Sequence, residues 1–244
     1  MEPLENTTEE DKLTLFMEWL LANRLQVGLA IVIALGAGAI LYQKKVDTVE
    51  KEETAAEDLW GAISPDVQVV GMKTNQAVAV LLNEVAKNHP GTKAANNAVF
   101  LKASALYEEG KFTKAKVAFG SYLNLVRAGP LTAAAQFGLA ASEDAVGEKA
   151  KAEGSYKVVI ARYGSAPEAM QARVALAKIL LAKSKPEIEQ AKDLLLAASK
   201  ESQESRIPGF WGREAERMLV PLQVKTKPEA DVVEGTSGET KKDK

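Results

Sequence analysis

The chain contains no cysteine, so a disulfide framework, a thiol nucleophile and thiolate metal ligation are all closed to it. Its single histidine, His89, rules out the histidine clusters that hold catalytic zinc. Aromatic residues make up only 6% of the 244, and the charges nearly cancel, leaving a formal net charge of −2. There is no basic stripe with interleaved aromatics, which excludes the electrostatic footprint of a nucleic-acid binder. No strand pattern is predicted, so GxSxG, P-loop and GxGxxG motifs have no strand-to-helix context in which to work. The carboxylates mostly stand beside lysines, as on solvated helix faces, or flank helix ends, as do Glu108 and Glu109. The expectation is a non-enzymatic chain with no catalytic residue, no metal and no cofactor.

What is present begins with one apolar run, LQVGLAIVIALGAGAILY, from Leu25 to Tyr42. Its 18 residues approach the roughly 20 that cross a hydrocarbon core. Leu20 and Leu21 extend it, because Arg24 can carry its charge to the interface on a long apolar stem. Trp19 and Tyr42 bracket the run as interfacial aromatics do. A cleaved signal peptide would want a basic start, whereas this one has Glu2, Glu5, Glu9, Glu10 and Asp11. Lys12 and Arg24 precede the run, and Lys44, Lys45 and Lys51 follow it, a balance that sets no orientation.

Beyond the run the chain is alanine-rich, helical in pattern and repetitive. Phe100, Ala103, Ala115, Phe119 and Pro130 match Phe137, Ala140, Ala152, Tyr156 and Pro167, each 37 residues on. The small residues let two helices of a hairpin approach closely. Gly110 supplies the positive φ that ends the first helix. Phe112 and Phe119 fill the space toward the next hairpin, and Pro130 breaks the second helix. This is the A-x3-F pattern of tetratricopeptide repeats, stretched from the usual 34 residues. Weaker units contain Ala77 and Leu81, and Ala191 and Leu195.

The predicted fold is therefore all-α: a single transmembrane helix followed by a tetratricopeptide-like α-hairpin solenoid. The expected organisation is an N-terminal tail and amphipathic entry over 1–24, the membrane helix over 25–42, repeats over 43–222 and a disordered tail over 223–244. One long helix is expected from about Lys12 to Ile63, and a last helix from Phe210 to Leu219 that stops before Pro221. In the last helix Trp211 is expected as a buried anchor of the cap. The seam Val46, Val49, Ala56, Leu59 and Ile63 is too short for a convincing coiled coil and is expected to pack on the first repeat.

The acidic start, the single anchor, the trailing helix QKKVDTVEKEETAAEDLWGAI and the unit NHPGTKAANNAVFLKASALYEEGKFTKAKVAF together resemble the YfgM family of bacterial inner-membrane proteins. The resemblance spans about Glu18 to Leu219. It implies an ancillary subunit of the Sec translocon, with the repeat domain in the periplasm. Its implied partners are the translocon and periplasmic folding factors, including a membrane-anchored prolyl isomerase.

First helices of stacked hairpins line the inner surface of a solenoid. Helical phase places Asn97, Phe100, Ser104, Tyr107, Phe137, Ala141, Gln171, Val174 and Lys178 on that surface. Such a surface suits an extended or partly folded polypeptide better than an acidic tail. Phe100 and Phe137 read equally well as core, whereas polar Asn97, Gln171 and Lys178 have no packing duty there. The alternative is an assembly subunit of another membrane complex, with contact through the glycines and alanines at 36 to 39.

Overall fold

The computed structural model describes residues 9–64, 74–204 and 209–224. The described residues form ten α-helices. The chain divides into two compact units, Met1–Asp58 and Leu59–Lys244.

In the first unit, α1 covers Glu9–Ala22, and most of α2, which runs Arg24–Ile63, follows it. The expected single helix is thus interrupted at Asn23. There the side-chain amide donates to the Trp19 carbonyl at 2.8 Å, while the Asn23 backbone N–H donates to the same oxygen at 3.0 Å. The side-chain bond competes for the carbonyl that the regular helical N–H bond also uses. Among the described residues, α2 is the one helix long and apolar enough to cross a membrane. The side chains along its apolar stretch, Leu25, Leu29, Ile33 and Leu41 among them, are exposed.

The second unit is an array of antiparallel helices: α3 (Thr74–Asn88), α4 (Lys93–Glu108), α5 (Phe112–Leu125), α6 (Thr132–Ala145), α7 (Lys149–Arg162), α8 (Pro167–Leu181), α9 (Ile188–Glu204) and α10 (Phe210–Val224). Each packs on the next, and α4, α6, α8 and α10 also neighbour one another in sequence. That pattern is a tetratricopeptide-like stack of hairpins, with α4/α5, α6/α7 and α8/α9 as the units.

Two of the turns repeat atom for atom. Gly110, at φ 75°, ends α4 with its N–H on the Tyr107 carbonyl (2.9 Å) and the Lys111 N–H on the Leu106 carbonyl (2.9 Å). Gly147, at φ 84°, ends α6 with the equivalent bonds to Asp144 (3.0 Å) and from Glu148 to Glu143 (2.9 Å). Both are Schellman caps, which need a residue free of the left-handed penalty. The helix starts are also prepared. Thr92 accepts from the Ala95 N–H at 3.0 Å to cap α4, and Pro167 opens α8.

The repeat carries into the core. Ala98, Ala135 and Ala172 are completely buried, as are Ala103, Ala140 and Ala177, two alanine rows that recur at the 37-residue period through three first helices. Facing them, Ala115, Phe119 and Tyr122 pack from α5, and Ala152, Tyr156 and Val159 from α7. In α9 the same places fall two residues late in the period, at Ala191 and Leu195, both fully buried. The earliest core group joins Leu59 and Ala62 to Leu82, Val85 and Ala98.

Three expectations change. The last helix runs through Pro221 to Val224. Its apolar stripe, Ala215, Leu219 and Leu222, stays buried across the proline, and that burial offsets the hydrogen bond proline cannot make. Val174, placed on the inner surface by phase, is fully buried core. Phe112 packs edge-on against Tyr107 of its own hairpin, with ring centroids 5.1 Å apart, rather than toward the next. The tail assigned as disordered lies, from residue 225 onward, outside the described residues.

Candidate protein-binding groove

The first helices α4, α6 and α8 present side chains to a common groove of about 500 Å³, and α10 contributes Trp211 to it. Of the seven predicted site residues, Phe100, Ser104, Tyr107, Phe137 and Lys178 line it together. Asn97 and Gln171 do not. Both are half-buried in the first half of their helices.

Aromatic rings build the groove wall, and each is held by another ring. Phe100 meets Phe119 edge-on at 5.9 Å and Tyr122 at 5.6 Å. Phe137 tilts against Tyr156 at 5.7 Å. Phe100 and Phe137 are half-buried, so each has one side in the core and another on the groove. The two readings of these rings, core and surface, are both realised. Ser104 bonds back to the Phe100 carbonyl at 3.3 Å, which leaves its short side chain close to the helix.

Three charged residues, Glu108, Asp144 and Lys178, border the groove. Asp144 is ion-paired with Lys149. Lys178 has a structural partner that helical phase did not show: its Nζ lies 3.0 Å from Glu214 Oε1 on α10. Arg217 completes the cluster, with Nε 2.8 Å and Nη2 2.9 Å from the two Glu214 oxygens. Hydrogen bonds from Arg217 and then Lys178 hold the Glu214 carboxyl down at about 2. Lys178 thus clasps α8 to the last helix while it stands on the groove rim.

Burial raises the Tyr156 hydroxyl well above its ordinary value, and the negative charge of Asp144 adds to this. Tyr107 is raised in the same direction, again by burial first and by Asp144 second. Both phenols stay neutral at physiological pH. The groove is therefore an apolar, aromatic trough with hydroxyls and a sparse polar rim, suited to burying an apolar side chain rather than to bond chemistry. Among the described residues, no group of three or more His, Cys, Asp or Glu is placed to hold a metal ion.

Sequence reasoning missed Phe119, Gly138, Tyr156 and Trp211 as groove residues. Phe119 and Tyr156 lie on second helices and carried a clear core signal, which hid the ring edge that each gives to the groove. Trp211 reads first as a cap anchor, with a binding role as the lesser alternative. It packs on the C-terminal core, meets Phe210 at 5.1 Å, and also lines the groove.

No family model and no curated protein matches this chain. Among solved structures, a Podosopora anserina candidate kinesin light chain with nearly identical TPR-like repeats is similar at 16% identity. That likeness covers 73% of this chain and 96% of the other, with a TM-score of 0.46. Its Q17M form gives 14% identity over 72% and 92% of the two chains, with a TM-score of 0.48.

Proposed function

We propose that this chain is a membrane-anchored, non-enzymatic scaffold that binds other proteins. In this reading α2 is the anchor, and the groove along α4, α6 and α8 accepts an extended or partly folded polypeptide through its apolar side chains. The observation that carries it is the groove itself: five predicted residues from three successive hairpins meet on one aromatic-lined surface. In the finer form, which rests on the YfgM resemblance, the protein is an ancillary subunit of the Sec translocon in a bacterial inner membrane. The repeat domain then stands in the periplasm and links the translocon to folding factors or clients. The order of one apolar helix followed by a hairpin array supports that form.

The second reading is an assembly subunit that makes its contact through the anchor. A Cβ at Gly36 or at Gly38 would meet nothing within 4 Å, so α2 is open to another helix at either glycine. Crosslinking in membranes followed by capture on a C-terminal tag separates the two. Ser104→Arg with Ala141→Arg fills the groove and should abolish partner capture while the domain melts normally. If capture survives these changes and is lost with Gly36→Leu and Gly38→Leu, the anchor reading holds and the groove reading is wrong. Translocon subunits among the captured proteins would support the finer form, and an unrelated membrane complex would overturn it.

A further inference from the structure

Within the first unit, the helix α1 carries a large apolar surface that no other described residue covers. Leu13, Leu15, Phe16, Met17, Trp19 and Leu21 are all more than half exposed. Leu13, Phe16 and Leu20 follow one another at three- and four-residue spacing along one face, which Glu9 begins at the helix start; Thr14 and Glu18 lie four apart on the opposite side, flanked by Leu15 and Leu21. The Phe16 and Trp19 rings stack at 6.3 Å, which makes a broad flat aromatic patch. One break, at Asn23, separates this helix from the apolar α2.

We infer that α1 lies in the membrane surface, with the Leu13–Phe16–Leu20 face in the lipid and Glu18 toward water. The inference rests on the reading of α2 as the anchor. Leu25 to Tyr42 already provides about 27 Å at 1.5 Å per residue, close to the roughly 30 Å core. Extending the span back to Leu13 would make it about 45 Å and would draw Glu18 and Asn23 into hydrocarbon, at a cost membranes rarely tolerate. The helix break at Asn23 falls where a span would surface, and aromatic rings such as Trp19 favour the headgroup level. The occupant of the α1 face is therefore the lipid surface that α2 has just left. With Glu9, Glu10, Asp11 and Glu18 against Lys12 the helix is net acidic, so apolar burial rather than attraction to anionic lipid holds it down.

The absence of cysteine allows a direct test on the full-length chain. Single substitutions Leu13→Cys, Thr14→Cys, Phe16→Cys, Glu18→Cys and Val32→Cys are spin-labelled in phosphatidylcholine vesicles. Accessibility to oxygen and to a water-soluble nickel reagent is then measured. Labels at 13 and 16 should be shielded from nickel, those at 14 and 18 open to it, and that at 32 the most deeply shielded. Adding phosphatidylglycerol should leave the pattern unchanged. If 14 and 18 are as shielded as 13 and 16, α1 continues the span and the inference is wrong. If 13 and 16 are as open as 14 and 18 while 32 stays shielded, α1 leaves the membrane, and the inference fails alone. A label at 32 open to nickel overturns the anchor reading as well.

Discussion

The ring of Phe119 lies against the bare Cα of Gly138. A Cβ built on Gly138 would stand 2.4 Å from Phe119 Cζ and 2.7 Å from both Cε atoms. The second helix of one hairpin thus docks on the first helix of the next through an aromatic ring that occupies the place of a missing side chain. One repeat later the two places are held by Tyr156 and Ala175, and all four residues border the groove.

Gly138→Ala should therefore destabilise the repeat domain by about 1–3 kcal/mol, the usual cost of overpacking, despite alanine's better helix propensity. Phe119 is almost fully buried and braced by Phe100, so its ring has little room to retreat. Adding Phe119→Leu should make the pair less costly than the sum of the single changes. Urea unfolding of the four proteins measures this. Strict additivity would mean that the two residues do not press on each other.

Turn glycines and helix glycines should respond in opposite directions. Gly110→Ala and Gly147→Ala force alanine into left-handed backbone at φ 75° and 84° and should each cost about 1–2 kcal/mol. Gly154 lies within α7, and a Cβ there would touch nothing within 4 Å. Gly154→Ala should stabilise by about 0.5–1 kcal/mol. Thermal melts of the three variants check the sign of each.

The Glu214 cluster predicts an acid-dependent clasp. Its folded carboxyl sits at about 2 against an ordinary 4.5, so the unfolded chain takes up the proton first as pH falls. The stabilisation is fully present above pH 4.5 and is lost between there and about 2. Glu214→Gln should lower Tm near neutral pH, and the gap to the parent should close across that acid range. A gap that stays constant would show that Glu214 contributes through packing alone.

Tyr156 predicts the opposite limb. Burial raises its hydroxyl in the folded state, so the unfolded chain ionises first once pH passes the ordinary phenol value of 10.0. Stability is intact below that pH and declines above it. Tyr156→Phe keeps the ring against Phe137 and removes the ionisation, so the alkaline unfolding midpoint should move upward. An unchanged midpoint would assign alkaline unfolding to other groups.

Much of this was legible because it is local. The 37-residue spacing, the small residues at 103, 115, 140 and 152, the glycine stop at Gly110 and the apolar run after Arg24 each act within a turn or two of helix. Their physics needs no distant neighbour: steric room between two backbones, the φ of one residue, the length of one apolar stretch. Phase within a single helix brought Phe100, Ser104, Tyr107, Phe137 and Lys178 to one surface, but it placed Asn97, Gln171 and Val174 there as well.

Tertiary structure decided what those helices touch. Helical phase put Val174 and Lys178 on the same inner surface, yet one is sealed in the core and the other reaches Glu214. Lys178 reaches Glu214 because α10 packs beside α8, a contact between residues far apart in the chain. Pro221 would end a helix on local grounds, but Leu219 and Leu222 bury on either side of it, and the helix continues. Phe119 and Tyr156 announced a core by their spacing. Only the neighbouring hairpin, through the empty place at Gly138, brought the edges of their rings to the groove.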